Sequence, residues 1–116
     1  MSNTSPSYTY AATLDRVIDG DTIDVVLDLG FSVLLKARIR LSGIDTPETR
    51  TRNIQEKILG KAAMARLIEL LGDGSDLVIV SKFYSRGKYG RILGRVFVDG
   101  VDVNQVLLDE GHAEPY

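Results

Sequence analysis

Five short strand-like segments, divided three and two by one helical segment, constrain the fold of this chain most. β-Branched and aromatic residues dominate these segments, and turn-forming residues such as Asp19-Gly20 separate them. The predicted strands are 8–18, 22–29, 32–44, 76–84 and 91–98. So many short strands would leave exposed edges in an open sheet, which favours closure into a barrel.

Two further segments have the apolar periodicity of helices. In residues 56–72 Gly72 is placed to end the helix, and in residues 102–111 Asp102 and Gln105 form a predicted capping box. The apolar stripe of the first helix is predicted to be Leu59, Ala63, Leu67, Leu70 and Leu71. The order β-β-β-α-β-β-α predicts a mainly β protein with helices (α+β), a five-stranded barrel of the oligonucleotide-binding type.

Two connections in this pattern carry polar residues of interest. The turn at 19–21 is an Asp-Gly hairpin, in which we expect Gly20 to adopt the left-handed conformation that such turns need. Residues 45–56 form a predicted loop after the third strand. On that strand alternate side chains separate an apolar side from a basic side, which contains Lys36, Arg38 and Arg40.

Composition excludes several classes of protein. The 116 residues include no cysteine, which excludes disulfides, zinc–thiolate sites and thiol nucleophiles. No apolar stretch reaches the ~18 residues of a membrane span, so we expect no membrane partner. A hydrophobic content of 44% is enough for one modest core, and a net charge of -2 argues against a protein that simply coats nucleic acid.

Charge is nevertheless distributed unevenly along the chain. Residues 36–61 carry seven basic and three acidic side chains, and residues 82–95 carry five basic and no acidic ones. Residues 99–116 carry five acidic and no basic ones. One positive face on an acidic body would explain this, although solvated surface charge is the simpler interpretation of the pattern alone.

The amino-terminal stretch MSNTSPSYTY has neither the basic start nor the apolar core of a signal peptide. We expect residues 1–8 to form a disordered leader and residues 9–116 to form a single domain, which we expect to be a monomer. Without a signal-peptide pattern in this sequence, the expected location is the cytoplasm or an unknown compartment.

Four polar features could carry chemistry: Asp21 in DGDT, Arg40 on the third strand, the cluster in IDTPE at 44–48, and Arg91 in KYGR. Each has a structural explanation by itself. An Asp beside Gly suits a hairpin turn, an Asp before Thr-Pro opens a turn, and arginines extend from barrel faces into water. Taken singly, the structural explanation is the better one for each.

Taken together, these residues match the needs of phosphodiester hydrolysis. A hard cation takes oxygen ligands, which Asp21, Asp45 and the backbone carbonyl of Thr46 could supply.

The remaining requirements are a water and a phosphate clamp. Glu48 has the chemistry to orient or deprotonate the attacking water. Arg40 and Arg91 come from different strands and could bind the phosphoryl oxygens from two sides through paired hydrogen bonds. Nothing in the sequence gives Arg38 or Arg95 a fork-shaped partner of this kind.

Five stretches of the chain resemble the staphylococcal (micrococcal) nuclease family, in the family's order and at similar spacing. They are VIDGDTIDV at 17–25, RIRLSGIDTPET at 38–49, GKAA at 60–63, KYGRILGRVFVDG at 88–100 and VNQVLLDEGHA at 103–113. The resemblance implies a barrel of the oligonucleotide-binding type and hydrolysis of DNA and RNA with Ca²⁺. We expect the substrate to be single-stranded or denatured nucleic acid.

The resemblance also implies a role for each matching residue. It implies calcium binding by Asp21, Asp45 and the Thr46 carbonyl, action on water by Glu48, phosphate binding by Arg40 and Arg91, and contact with the sugar–phosphate by Lys88 and Tyr89. Two alternatives remain: a non-catalytic nucleic-acid or protein binding module of the same fold, and a small interaction or structural protein with a coincidental cluster. The presence of all five site side chains favours the enzyme.

Overall fold

The computed structural model describes residues 8–81 and 91–116, which form a closed barrel of five strands with two helices. The main elements are β1 (Tyr8–Asp19), β2 (Thr22–Asp28), β3 (Leu34–Leu41), α1 (Ile54–Leu71), β5 (Leu77–Ser81), β6 (Ile92–Val98) and α2 (Val103–Asp109). Three strands of two residues complete it: β4 (Ile44–Asp45), β7 (Val101–Asp102) and β8 (Glu114–Pro115).

The barrel closes because β3 pairs on both of its edges. Antiparallel pairing links β3, β2, β1, β5 and β6 in that order. Residues 39–41 of β3 then pair in parallel with residues 92–94 of β6. The predicted five-stranded barrel of the oligonucleotide-binding type is confirmed.

The core lies inside the barrel and continues under α1 and α2. Every second residue of β2 faces inward, so Ile23, Val25 and Leu27 are buried, and Ile39 and Leu41 of β3 are buried with them. Burial of each large aliphatic side chain contributes about 1.5–3 kcal/mol. This packing holds β2 and β3 rigidly at the end where they meet the predicted site.

Helix α1 begins two residues earlier than the sequence pattern predicts. Asn53 caps it by accepting a hydrogen bond from the Glu56 N–H at 3.0 Å. Leu59, expected on the buried stripe, is 59% exposed, and Gly60 is buried instead. A Cβ on Gly60 would lie 2.5 Å from the Glu48 carbonyl oxygen, so the helix packs directly on the backbone of the predicted site loop.

The third strand is shorter than predicted. It ends at Leu41 and is followed by a turn at Ser42-Gly43, after which Ile44 and Asp45 pair with Pro115 and Glu114. This two-residue pairing with the end of the chain could not be seen in a local pattern. It fixes Asp45 on a short strand rather than in a loop.

Gly20 is required for a different reason from the one the Asp-Gly turn suggests. It is not among the glycines with positive φ in the described part of the chain, so the expected left-handed conformation is wrong. A Cβ there would instead meet the Ala63 Cβ at 2.8 Å and the Thr46 Oγ1 at 3.0 Å. Gly20 therefore allows the turn before Asp21 to pack against α1 and Thr46.

The predicted capping box of α2 is half formed. The Asp102 carboxylate accepts from the Gln105 N–H at 3.1 Å, but the Gln105 amide donates to Asp109 at 2.9 Å. Asn104 is fully buried and donates to the Ser42 carbonyl at 2.9 Å, while its own oxygen accepts from the Val96 N–H at 3.1 Å. Asn104 thus ties α2 to β6 and to the turn before Asp45.

Some predictions fall on residues 1–7 and 82–90, outside the described part of the chain. They concern most of the leader, the end of the predicted strand 76–84, and the basic loop with Lys88 and Tyr89. Within residues 8–81 and 91–116, no helix combines the length and apolar character needed to cross a bilayer.

Candidate active site

A cleft of about 460 Å³ lies at the end of the barrel where β1, β2 and β3 meet the loop after β4. It brings together the predicted site residues of the described chain, which are Asp21, Arg40, Asp45, Thr46, Glu48 and Arg91. A second cleft of about 550 Å³ shares residues 45–48 and continues towards the start of α1 and residues 111–114. Residues 45–48 therefore form a wall between two open surfaces.

Arg40 is the more deeply buried arginine of the predicted clamp, with 11% of its side chain exposed. Its Nη1 donates to the carbonyl oxygens of Leu41 at 2.9 Å and Ile44 at 2.8 Å. Its Nη2 lies 3.2 Å from Asp45 Oδ1 and 3.4 Å from Asp21 Oδ2. The guanidinium thus holds the β3–β4 turn and faces both predicted calcium ligands.

Asp21 is buried at the base of the cleft, with 10% of its side chain exposed. Its Oδ1 accepts from the Thr22 hydroxyl at 2.9 Å, and its Oδ2 accepts from the Thr46 N–H at 3.1 Å. The Asp21 carbonyl accepts from the Leu41 N–H at 2.8 Å. These contacts fix the orientation of the carboxylate before any ligand binds.

Asp45 differs from Asp21 in being open to solvent, with 56% of its side chain exposed. The pairing of β4 with β8 sets the position of Asp45 and also brings Tyr116, the residue after β8, to the cleft. The Tyr116 N–H donates to the Gly43 carbonyl at 3.0 Å. The Tyr116 ring centroid lies 5.4 Å from Arg40 Cζ, within cation–π range. Tyr116 therefore covers one face of Arg40.

Glu48 lies on the loop that follows β4, and it lines both clefts. Two contacts hold this loop: its backbone packs against Gly60 of α1, and the Thr49 hydroxyl donates to Asp19 Oδ1. Asp19 itself lines the cleft. The carboxylate of Glu48 is accessible while its backbone is fixed, as a group acting on a bound water requires.

Arg91 reaches the cleft from the residue just before β6. The parallel register places Leu93 beside Arg40, and side chains two residues apart on a strand point to the same side. Arg91 and Leu93 both line the cleft. Arg40 on β3 and Arg91, which directly precedes β6 instead of opening a strand, thus reach the cleft from different parts of the chain.

The oxygen ligands that the sequence predicts for a cation lie at the base of the cleft. Asp21 Oδ2 and Asp45 Oδ1 lie 3.4 and 3.2 Å from the same Arg40 Nη2, so both carboxylates border the same part of the cleft. No group of three or more His, Cys, Asp or Glu side chains in residues 8–81 and 91–116 has the arrangement of a metal site. The predicted set has only two carboxylates and a backbone carbonyl, a combination that Ca²⁺ accepts together with water.

Asp19 and Tyr116 line the cleft although neither belongs to the predicted site. By its position before Gly20, Asp19 has the pattern of a turn residue. The signal that could have indicated it is the DGD sequence, which places the carboxylates of Asp19 and Asp21 on either side of one glycine. Tyr116 has no local signal, because only β4–β8 pairing brings it onto Arg40.

Arg38 binds a carboxylate through two parallel hydrogen bonds, a partner that the sequence did not indicate. Its Nε and Nη2 donate to the two oxygens of Asp24 at 2.7 and 3.1 Å, and Arg16 donates to the same carboxylate at 3.2 Å. The hydrogen bond from Arg38 is the main reason that the pKa of Asp24 lies below its ordinary value of 3.8. Arg95 donates through Nη1 to Asp102 at 2.8 Å.

The sequence of this chain is similar to those of known proteins. A family model described as staphylococcal nuclease homologue matches residues 38–116, more than half of the chain. Endonuclease YncB of Bacillus subtilis (strain 168) is 42% identical over 101 residues, or 87% of this chain and 46% of that protein. The SPbeta prophage-derived endonuclease YokF of the same organism is 41% identical over 87% of this chain and 32% of its own length.

A plant protein also matches. The staphylococcal-like nuclease CAN1 of Arabidopsis thaliana is 32% identical over 95% of this chain and 32% of its own length. The chain therefore spans less than half the length of each of these three relatives.

Proposed function

This chain belongs to the staphylococcal nuclease family, and we propose that it hydrolyses phosphodiester bonds in single-stranded or denatured DNA or RNA with the help of Ca²⁺. The observation that carries the proposal is the convergence of Asp21, Arg40, Asp45, Glu48 and Arg91 on one cleft from separate parts of the chain. That three relatives are named as nucleases or endonucleases supports it.

Asp21, Asp45 and the carbonyl of Thr46 would hold the cation. When bound, the cation would neutralise charge on the phosphate oxygens. Asp21 is preorganised for this by its bonds to Thr22 and Thr46, while the exposed Asp45 can adjust to the ligand. One fixed and one adjustable carboxylate suit the flexible coordination of Ca²⁺ better than the strict octahedron of Mg²⁺.

Glu48 would orient the attacking water or accept its proton. It lines the same cleft as Asp45, and its backbone is fixed against Gly60. Proton transfer by a positioned side chain typically accelerates a reaction ~10²–10⁴-fold.

Arg40 and Arg91 would stabilise the charge that builds on the phosphoryl oxygens. Because Nη1 of Arg40 is committed to two backbone carbonyls, the guanidinium has one orientation, with Nη2 towards the carboxylates and the cleft. A donor that needs no reorganisation is the most effective stabiliser of a transition state.

The test is cleavage of a single-stranded oligonucleotide with Ca²⁺, with Mg²⁺, and with excess chelator. We expect cleavage with Ca²⁺, less with Mg²⁺ and none with chelator. Asp21→Asn should raise the Ca²⁺ concentration needed for half-maximal rate. Asp24→Asn is the matched control, because Asp24 is also a partly buried carboxylate bonded to an arginine but lies outside the cleft. Equal calcium dependence of both variants, or cleavage that persists in chelator, would contradict the proposal.

A further inference from the structure

The tip of the β2–β3 hairpin presents an aromatic side chain entirely to solvent. Phe31 is 101% exposed, more than any other large apolar side chain in residues 8–81 and 91–116. Its neighbours Leu29, Val33 and Leu34 are 36%, 49% and 67% exposed. The hairpin tip, residues 29–34, is therefore an exposed apolar patch, a feature that marks interaction sites.

The backbone of this tip is unfavourable for the residues that form it. The Val33 N–H donates to the Gly30 carbonyl at 2.9 Å, and the two central residues of this turn, Phe31 and Ser32, have φ of +55° and +63°. Positive φ at both central residues is the requirement of a type I′ turn, which Asn-Gly meets best. A bulky aromatic residue there is an outlier, and strain of this kind accumulates at positions that bind ligands.

The tip is connected to the candidate active site by one outward face of the barrel. Alternate residues of β3 point to the same side, so Arg38, Lys36 and Leu34 lie on the same face as Arg40, in that order from the cleft to the tip. At about 3.3 Å per residue, Leu34 lies roughly 20 Å from Arg40. A strand of nucleic acid that leaves the cleft along this face reaches the tip.

On the face between the cleft and the tip the basic Lys36, Arg38 and Arg16 outnumber the acidic Asp24 and Asp28. Lys36 is exposed, and the side chains of Arg38 and Arg16 are 44% and 66% exposed. Asp24 bonds to both arginines and offsets one of their two charges. Proteins bind single-stranded nucleic acid by combining positive side chains, which contact the phosphates, with an aromatic ring on which a base stacks.

We propose that Phe31 stacks on an unpaired base of the substrate strand, while Lys36 and Arg38 bind the phosphates between that base and the cleft. The inference rests on the proposed function for the identity of the strand. It assigns the protein a footprint of several nucleotides, within the ~4–16 that one oligonucleotide-binding barrel covers. An anionic lipid surface or a protein would also contact an apolar tip beside basic side chains, but neither accounts for the continuation of these side chains along β3 to Arg40 in the cleft.

Tryptophan fluorescence tests the stack directly. The chain has no tryptophan, so Phe31→Trp introduces a single fluorophore at the tip. Val101→Trp is the matched control, because Val101 is an exposed residue beside another turn. The two variants are titrated with a single-stranded oligonucleotide of ~12 nucleotides, with its duplex, and with phosphatidylcholine–phosphatidylserine vesicles. Chelator prevents cleavage in one series, and the Glu48→Gln background with Ca²⁺ slows cleavage in the other.

For the Phe31→Trp variant we expect saturable quenching by the single strand and weaker quenching by the duplex. For the Val101→Trp variant we expect no quenching. Absence of quenching of Phe31→Trp in both series would overturn the inference, as would a spectral shift that occurs with vesicles alone. Quenching without cleavage in any metal would instead contradict the proposed hydrolysis and support the inference. Cleavage without quenching would support the proposed hydrolysis and contradict the inference.

A double variant separates binding from hairpin stability. Phe31→Asn combined with Ser32→Gly gives the turn its preferred residues, so Tm should rise by a few degrees. The Kd for the single strand should nevertheless weaken roughly tenfold, the loss expected from one base–aromatic stack. Tm rising with an unchanged Kd would show that Phe31 has no part in binding. The circular dichroism spectrum confirms that the variant is folded.

Discussion

The two ends of the β2–β3 hairpin are built in opposite ways. At the cleft end, Arg40 is almost entirely buried, and its guanidinium is held by backbone carbonyls and carboxylates. At the other end, Phe31 is fully exposed on a strained turn. The first arrangement suits a group that must not move during a reaction, and the second suits a group that becomes ordered only when a partner covers it.

This contrast indicates where the sequence of the hairpin is constrained by folding and where it is not. Replacing Arg40 would leave the Leu41 and Ile44 carbonyls and the buried Asp21 carboxylate without this partner, and unsatisfied buried groups are costly. Replacing Phe31 exposes no buried group, and a residue suited to positive φ would relieve strain. The structure alone therefore explains why Arg40 is an arginine, whereas only binding would explain why Phe31 is aromatic.

The largest effect is expected at the buried end. Arg40→Lys should lower kcat about 10²–10³-fold, because an ammonium group cannot offer parallel donors to the phosphate and also bind the β3–β4 turn. It should also lower the free energy of unfolding by about 1–3 kcal/mol. Kinetics and urea unfolding measure both losses. Arg95→Lys is the control, since Arg95 is bonded to Asp102 and does not line the cleft; similar kinetics for the two variants would remove Arg40 from the reaction.

Glu48→Gln tests whether a solvent-accessible side chain can affect kcat as strongly as the buried Arg40 does. We expect kcat to fall about 10²-fold while Tm stays unchanged, because the carboxylate faces the cleft and its loss removes only the action on water. Glu56→Gln is the matched control, as Glu56 borders the adjoining cleft from the first turn of α1. A lower Tm with normal kcat would assign Glu48 a structural role instead.

Gly60→Ala should lower activity roughly tenfold by moving the loop that carries Glu48. The added methyl would lie 2.5 Å from the Glu48 carbonyl oxygen and 2.8 Å from that of Pro47, so the loop backbone must shift. Helix propensity alone would make alanine more stable by about 1 kcal/mol. Ala62→Gly, at an exposed position of the same helix, is the reciprocal control and should leave kcat unchanged. If Gly60→Ala is more stable and fully active, the loop does not depend on this contact.

The smallest effect is expected midway along the hairpin, at Asp24. Its hydrogen bond from Arg38 lowers its pKa below 3.8, so the ionised carboxylate stabilises the folded state above that pH. The contribution is lost as pH falls through the lowered pKa. Asp24→Asn should therefore reduce stability by about 1 kcal/mol or less at neutral pH and by nothing in strong acid. Urea unfolding at both pH values measures this; a difference that grows in acid would contradict the assignment.

Most of the architecture follows from the sequence because strand and helix patterns are set by residues near one another in the chain. The alternation of β2, the stripe through Ala63 and Leu67, and the stop at Gly72 all match the structure. The types and spacing of four residues in the sequence also indicate their chemistry: Asp21, Arg40, Asp45 and Glu48. The structure brings these residues to one cleft.

Only the tertiary structure decides how those residues are held. Asp21 accepts from the N–H of Thr46, 25 residues later, and Asn104 donates to the Ser42 carbonyl, 62 residues earlier. Tyr116 reaches Arg40 because β8 pairs with β4, and Gly60 is buried because the Glu48 backbone lies against it. Such contacts depend on closure of the barrel, which brings distant segments together, so no local period in the sequence could reveal them.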